Sequence, residues 1–392
     1  MDVLIKYPSS WILPEDSPYV RLTNRPPAYK QHGFDRQFDS TTVFYDCVSL
    51  KDAAVVVLQG PPLWNLHAQL RRLRINAPSH PEGLTYWIRE YDRHTQIWIA
   101  IRHPIESLQL TSDLGHVQVP LSADCNEFFR GMRVLLTLNK NNKPDWICDW
   151  IRFHRDIHGA NSVLLYDNSS TIYDLKELLA RLRTLLRVDR LCIVSWPFKF
   201  GPQGYQGVWD SDFCQYGALE NARWRFLQKA RSVLSCDIDE LVLTRDWSVF
   251  ELAESNGYIS FFGKWIVGLA PEPSGALQRQ APNRRTVRHA DFRHALNFKS
   301  ERRRDGLVHD SRCPSKWAVV PSRCPNTAQW KVHQVTVMNT GEVDTSIACY
   351  RHFREINTHW KYCRSLRDRF DAQRHYVDEE LNAAFRKVRW DQ

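Results

Sequence analysis

From residue 133 onward, short apolar runs alternate with longer stretches whose apolar positions recur every three or four residues. The runs 134–138, 162–166, 191–194 and 232–236 read as buried strands, too short for helices and rich in Val, Leu and Ile. The stretch 144–158 reads as a helix, with Pro144 in its first turn and Gly159 closing it. The stretch 173–186 places Leu175, Leu178, Leu179, Leu182 and Leu185 on one face. A longer helix is expected over about 212–230. Such alternation predicts an α/β fold, a mostly parallel sheet with flanking helices. Ligands in such sheets sit beyond the C-terminal strand ends. The residues of interest are therefore Asn139-Lys140-Asn141-Asn142, Asp167-Asn168-Ser169-Ser170, Trp196-Pro197 and Asp237-Ile238-Asp239-Glu240.

Other parts of the chain have a different texture. Up to about residue 125, β-rich runs at 41–45, 53–58, 85–91 and 96–102 are separated by Pro, Gly, Asp and His. This is the pattern of a small antiparallel β unit, which reads as a lid or association surface. After Glu240 a short helix at 250–254 and strands at 258–266, 316–321 and 330–337 are expected, then a charged helical tail over 357–387. The expected units are 1–125 (β-rich), 126–345 (α/β) and 346–392 (helical tail).

Composition narrows the setting. The net charge of +9 implies anionic partners. It is concentrated in Arg279, Arg284, Arg285, Arg288, Arg293, Lys299, Arg302, Arg303 and Arg304, against Asp291 and Glu301. No aromatic-interleaved RNA motif or zinc-finger spacing accompanies the run, so nucleic acid is not the expected partner. The run would instead border the acceptor side of a cleft or rest on an anionic membrane surface. The ten cysteines include no Cys-x-x-Cys, which argues against a thiolate zinc site and for a reducing compartment. No apolar run approaches the roughly 20 residues of a membrane span. A cytoplasmic protein, peripheral to the membrane at most, is expected.

Asp237-Ile238-Asp239, at the end of an apolar strand, is the main chemical signal. Two carboxylates flanking one core residue offer hard oxygen ligands to a divalent cation, Mn2+ or Mg2+. Asp210-Ser211-Asp212 has the same spacing but precedes a helix, where acidic residues cap the N-terminus and meet its dipole. His154 and His158 share one helical face, with Arg155, Asp156 and Ile157 between them in place of a zinc protease's Glu; both read as structural.

The wider order of motifs carries more than any one of them. Asp149-Trp150-Ile151-Arg152-Phe153-His154, Gly159, Tyr166-Asp167-Asn168-Ser169-Ser170, Trp196-Pro197, Gln215-Tyr216-Gly217-Ala218 and Asp237-Ile238-Asp239-Glu240 follow one another over about 110 residues. Lys316 and Val332-His333 come further on, and Tyr350-Arg351-His352-Phe353 is a looser match. In this order the chain resembles the family 92 glycosyltransferases and related bacterial family 2-like enzymes, which have the GT-A fold. Asn141-Asn142 stands where those enzymes have Asn-Glu.

The resemblance implies a metal-dependent, inverting transfer of a hexosyl group from a nucleotide sugar, a uridine diphosphate sugar, to a hydroxyl of a glycan or lipid-linked acceptor. It makes Asp239 the main metal ligand, Asp237 a second metal or ribose contact, and His333 the late ligand that completes the site. Asp167 would hold the nucleoside and Lys316 the diphosphate. A general base is also required; Asp291, Asp310 and Glu301 all lie in the region that would supply it. Two rivals stand beside this reading. A sugar nucleotidyltransferase would need a Gly-rich basic loop after the first strand, and the chain has only residues 139–143 there. A non-enzymatic anion-binding protein would work through the basic run alone.

Overall fold

The computed structural model describes residues 1–269, 288–291, 294–297, 312–338, 341–357 and 370–390. Its largest element is a nine-stranded sheet. The strands, in chain order, are β1 (Asp2–Lys6), β2 (Arg133–Asn139), β3 (Ser162–Asp167), β4 (Arg190–Ser195), β5 (Ser232–Ser235), β6 (Glu240–Thr244), β7 (Tyr258–Trp265), β8 (Arg312–Val319) and β9 (Ala348–His352). Their spatial order is β1-β4-β3-β2-β5-β8-β7-β9-β6. The half from β1 to β5 is entirely parallel. Beyond β5 the pairings are antiparallel to β8 and β7, parallel to β9, and antiparallel to β6. The α/β, GT-A-like fold is present, but the sheet is mixed rather than mostly parallel. The departure lies in the C-terminal strands: β8 runs antiparallel to both β5 and β7, and β9 antiparallel to β6.

Strand alternation builds the two faces. Leu135, Val163, Leu165, Leu191, Ile193 and Leu234 pack with Trp146, Trp150, Leu178 and Leu182 of helices Pro144–His158 and Leu175–Leu185. The intervening Val134, Leu136, Leu164, Tyr166, Cys192, Val194 and Val233 face helix Phe213–Asn221 and aromatics of the N-terminal region. Helix 144–158 matches its expected bounds, and Gly159, with φ +72°, closes it. The third helix is shorter than expected: a π-helical turn follows at Ala222–Phe226. Residues 330–337 make only a bridge, Trp330 to Val335. Instead of one helical tail, the described part of 357–387 contains a strand, His375–Val377, and a helix, Glu379–Phe385.

The N-terminal region is β-rich, with sheets of five, three and two strands. It is joined to helix Phe213–Asn221 and the π-helical turn after it by buried polar contacts. Asp46 accepts from Asn221 Nδ2 (2.8 Å) and Arg225 Nη1 (2.9 Å), and Glu220 accepts from Gln96 Nε2 (2.8 Å). Gly217 is needed here, because a Cβ would lie 2.5 Å from the Tyr45 ring. Strands β1 and β9 lie outside residues 126–345, yet both pair within the large sheet.

The two helical histidines are bolts. His154 Nδ1 donates to the Trp150 carbonyl (2.8 Å), while its Nε2 accepts from the Val242 amide (3.3 Å). His158 Nε2 donates to the Val242 carbonyl (2.8 Å), and its Nδ1 accepts from the Val249 amide (3.2 Å). All four ring nitrogens are used, so the pair ties the helix to β6 and has no lone pair for zinc. Burial pushes the pKa of His154 down to about 3 and that of His158 to about 4. Unfolded histidine titrates near pH 6.5. Between these values the unfolded chain binds more protons, so this contribution to stability is full above about pH 6.5 and is lost as pH falls. His154→Gln should lower the melting temperature at pH 7 and show a shallower decline than wild type on going to pH 5. An equally steep decline in the variant would remove His154 from this account.

Candidate active site

Strand β5 ends at Ser235, and the following residues turn the chain into β6. Ile238 is buried in the core beneath helix 144–158, so the carboxylates on either side of it are turned outward. The Asp237 side chain is 40% exposed and that of Asp239 20%, which leaves both reachable from solvent. Two hydrogen bonds close the turn. The Glu240 amide donates to the Asp237 carbonyl (3.0 Å), and the Asp237 amide donates to Glu240 Oε2 (2.8 Å).

Lys316 reaches this turn from β8, the antiparallel neighbour of β5. Its Nζ lies 2.6 Å from Asp237 Oδ2 and 3.0 Å from Glu240 Oε2, and its side chain is 4% exposed. Burial alone would depress its pKa, but the two carboxylates hold it well above the ordinary lysine value. Glu240 shows the opposite balance: burial outweighs the adjacent ammonium and raises its pKa to about 7. Burial also acts against ionisation of Asp237, but Lys316 prevails and keeps its pKa low. The turn therefore presents an ionised Asp237 over a fixed cation.

Asp239 has a partner the sequence reading did not assign to the site. His352, at the end of β9, stands opposite Glu240 in the ladder, and its Nε2 lies 3.0 Å from Asp239 Oδ2. Its ring packs on Trp265 with centroids 4.2 Å apart. Burial works against the imidazolium, but Asp239 raises the pKa above the usual histidine value.

The other expected residues differ in how they are held. His333 Nδ1 donates to the Ser315 carbonyl (2.9 Å), which leaves the lone pair on Nε2. Its pKa falls to about 4, through partial loss of its water shell and then the nearby Lys316. Because the residue remains exposed, the lysine is the firmer cause. Asp167 is buried, and its carboxylate accepts from Asn139 Nδ2 (2.6 Å), Ser170 Oγ (2.6 Å) and the Ser170 amide (2.9 Å). It organises the strand ends rather than projecting from them.

Asp291 is exposed and accepts from the Arg288 amide (2.7 Å). Its segment is fastened to the Asp237–Asp239 turn, since His289 Nε2 donates to the Ile238 carbonyl (3.0 Å). Arg288 Nε also donates to Asp149 (2.7 Å), so one charge of the basic run is already paired. Asp310, Glu301 and the rest of that run lie outside the described residues. The rival triplet does not cap by side-chain hydrogen bonding. Asp210 pairs with Arg25 (2.9 Å to Nε) and Asp212 with Arg93 (2.7 Å), both from the N-terminal region.

Among the described residues, no three His, Cys, Asp or Glu side chains are already grouped to hold a metal ion. The donor types nevertheless suit a hard divalent cation: two outward carboxylates and a neutral imidazole with a free Nε2. Asp239 can offer Oδ1 to an ion while its Oδ2 keeps the contact with His352.

The model of glycosyltransferase family 92 matches residues 140–389. This chain belongs to glycosyltransferase family 92. Membership of the family supports a glycosyl-transfer role. No individual curated protein matches the chain. Among solved structures, the apo bifunctional glycosyltransferase WbbM is 14% identical, with a TM-score of 0.26, covering 40% of this chain and 26% of its own. Core-mannan synthase A from Aspergillus fumigatus, in its Mn/GDP form, is 12% identical (TM-score 0.23; 34% of this chain, 42% of its own). Galactosyltransferase LgtC, in complex with donor and acceptor sugar analogs, is 13% identical (TM-score 0.24; 48% and 58%). The family 92 chain thus spans less than two thirds of each of these proteins. Among its described residues, no helix is long and apolar enough to cross a membrane.

Proposed function

We propose that this family 92 enzyme transfers a hexosyl group from a nucleotide sugar, a uridine diphosphate sugar, to a hydroxyl of a glycan or lipid-linked acceptor, with a divalent metal and inversion at the sugar carbon. The observation that carries the reading is the Asp237–Asp239 turn. It sets two reachable carboxylates at the C-terminal edge of the parallel half-sheet, above a buried lysine. Asp237, Asp239 and His333 would hold Mn2+ or Mg2+, with His352 orienting Asp239 through its Oδ2. When bound, the metal supplies positive charge that stabilises the departing diphosphate. Lys316 keeps Asp237 ionised and adds a fixed cation beneath the same position. Asp291, on the segment fastened to Ile238, would take the acceptor proton. A cytoplasmic setting with contact to an anionic membrane belongs to the same proposal.

The direct test is a screen of nucleotide sugars for thermal stabilisation with and without Mn2+, because binding to the folded state raises apparent stability. A manganese-dependent shift with uridine diphosphate sugars supports the reading; equal shifts with and without metal would remove the ion from it. The histidines offer a second measurement. His333→Ala and His352→Ala should each weaken manganese-dependent donor binding by about tenfold or more, the range for loss of a group tuning a metal site. His154→Ala should act through the melting temperature instead. Donor affinity unchanged in both site variants would detach the histidines from the metal.

A further inference from the structure

Asp239 lies between two anchored peptide planes. The carbonyl of Ile238 belongs to the plane before it and accepts from His289 Nε2 (3.0 Å). The carbonyl of Asp239 belongs to the plane after it and accepts from the Phe353 amide (2.8 Å). Because each peptide unit is rigid, anchoring both planes sets the backbone angles of Asp239 and so the direction of its Cα–Cβ bond. His352 then holds one oxygen of the carboxylate. The bond from Phe353 is made by backbone at the end of β9, whereas the bond to Ile238 is made by a side chain. His289 is therefore a residue through which the sequence can tune this turn.

His289 is held for that one bond. Its side chain is buried, and its ring meets the Phe353 ring edge to face with centroids 5.0 Å apart. Burial pushes its pKa down to about 3, so the ring is neutral near pH 7 and carries its proton on Nε2, toward Ile238. Among the described residues, Nδ1 has no hydrogen-bond partner. Burying that nitrogen unpaired costs stability, a cost that an apolar side chain of similar size would avoid. Packing alone does not call for a histidine here; the donor to Ile238 does. The segment is fixed from the C-terminal side. His294 Nε2 donates to the His289 carbonyl (3.1 Å), and its Nδ1 lies 2.9 Å from the carboxamide of Asn382 in helix Glu379–Phe385. The Asp378 amide donates to the His294 carbonyl (2.9 Å), and the Asp378 carboxylate pairs with Arg351 of β9. The start of one helix thus joins the arm that carries His289 to the strand that carries His352.

We propose that His289 is a positioning residue for glycosyl transfer: through the Ile238 carbonyl it aims the Asp239 carboxylate at the metal position, and His294 and Asn382 hold it there. The inference rests on the metal-dependent reading of the Asp237–Asp239 turn. His289 acts through Ile238 and needs no contact with the ion or the donor. A misdirected Asp239 still carries its charge, so the loss should be partial and smaller than that of Asp239→Asn. The C-terminal helix, far from the turn in sequence, thereby takes part in the site.

The test uses the full chain and the variants His289→Leu, His289→Gln and Asn382→Leu, with His154→Gln as a control for stability. Mn2+ binding in the presence of uridine diphosphate is read from the electron paramagnetic resonance of the free ion, beside thermal melts. His289→Leu should weaken Mn2+ binding by about tenfold or more, the range for losing a group that orients a metal ligand. His289→Gln should restore most of it, because its amide can donate to the same carbonyl. Asn382→Leu should give a smaller loss in the same direction. His154→Gln should lower the melting temperature and keep wild-type Mn2+ affinity. Wild-type affinity in His289→Leu overturns the proposal, as does a glutamine variant no better than the leucine one. An equal loss of affinity in His154→Gln overturns it too, because the effect then follows stability. Wild-type affinity in Asn382→Leu removes the C-terminal helix from it. A wild type that binds no Mn2+ is a different result: it overturns the metal reading itself, and this inference falls with it.

Discussion

Asp239→Asn is expected to lower kcat for glycosyl transfer by about 10²–10³, the usual cost of removing one charge-stabilising group from an active site. The melting temperature should stay close to wild type. Asparagine keeps the shape, and its Oδ1 can still accept from His352 Nε2, which lies 3.0 Å from the carboxylate in the native protein. What is lost is the negative charge that would hold a divalent ion. Donor titrations should therefore lose their dependence on Mn2+. Asp210→Asn is the matched control, since Asp210 binds Arg25 of the N-terminal region rather than facing the turn. That variant should lose stability and keep most of its turnover per folded molecule. If Asp210→Asn lost turnover at an unchanged melting temperature while Asp239→Asn remained active, the wrong triplet would have been assigned.

The elements legible in the sequence are those fixed by local rules. Helix 144–158 has proline at its start and a left-handed glycine at its end, and both bounds follow from backbone sterics. The parallel strands are continuous apolar runs because both faces are covered. The pairings beyond Asp239 are of another kind. His352 meets Asp239 across 113 residues because β9 runs antiparallel to β6, and nothing local encodes that register. Its one sequence signal was its place in the Tyr350-Arg351-His352-Phe353 cluster. Asp167 illustrates the converse. Its place at a strand end was readable, but its burial depends on Asn139, 28 residues away, and on Ser170. Asp210 and Asp212 were read as a helix cap because their arginine partners are 185 and 119 residues distant.

Lys316→Met should impair both folding and turnover, and pH distinguishes the two effects. In the native protein the ammonium sits between Asp237 (2.6 Å) and Glu240 (3.0 Å), and the Glu240 side chain is 2% exposed. Removing the cation leaves a buried carboxylate without its partner, a change that costs about 3–5 kcal/mol. Glu240 can escape part of that cost by taking up a proton. Its pKa is already raised to about 7 by burial, against the pull of Lys316, and without the lysine it should rise further. An unfolded glutamate titrates near pH 4.3, so the folded variant binds more protons than the unfolded chain above that pH. Its stability relative to wild type should therefore be highest near pH 5 and fall steadily toward pH 8. This trend opposes the acid sensitivity that His154 and His158 give the native protein. Turnover should be low at both pH values, because protonating Glu240 restores the fold without restoring the cation under Asp237. Added Mn2+ should raise the melting temperature of Lys316→Met more than that of wild type, since an ion shared by the turn's carboxylates replaces the lost charge and stabilises by mass action. Thermal melts at pH 5 and 8, with and without the ion, measure all of this. A variant with wild-type stability at both pH values and intact turnover would make Lys316 a bystander.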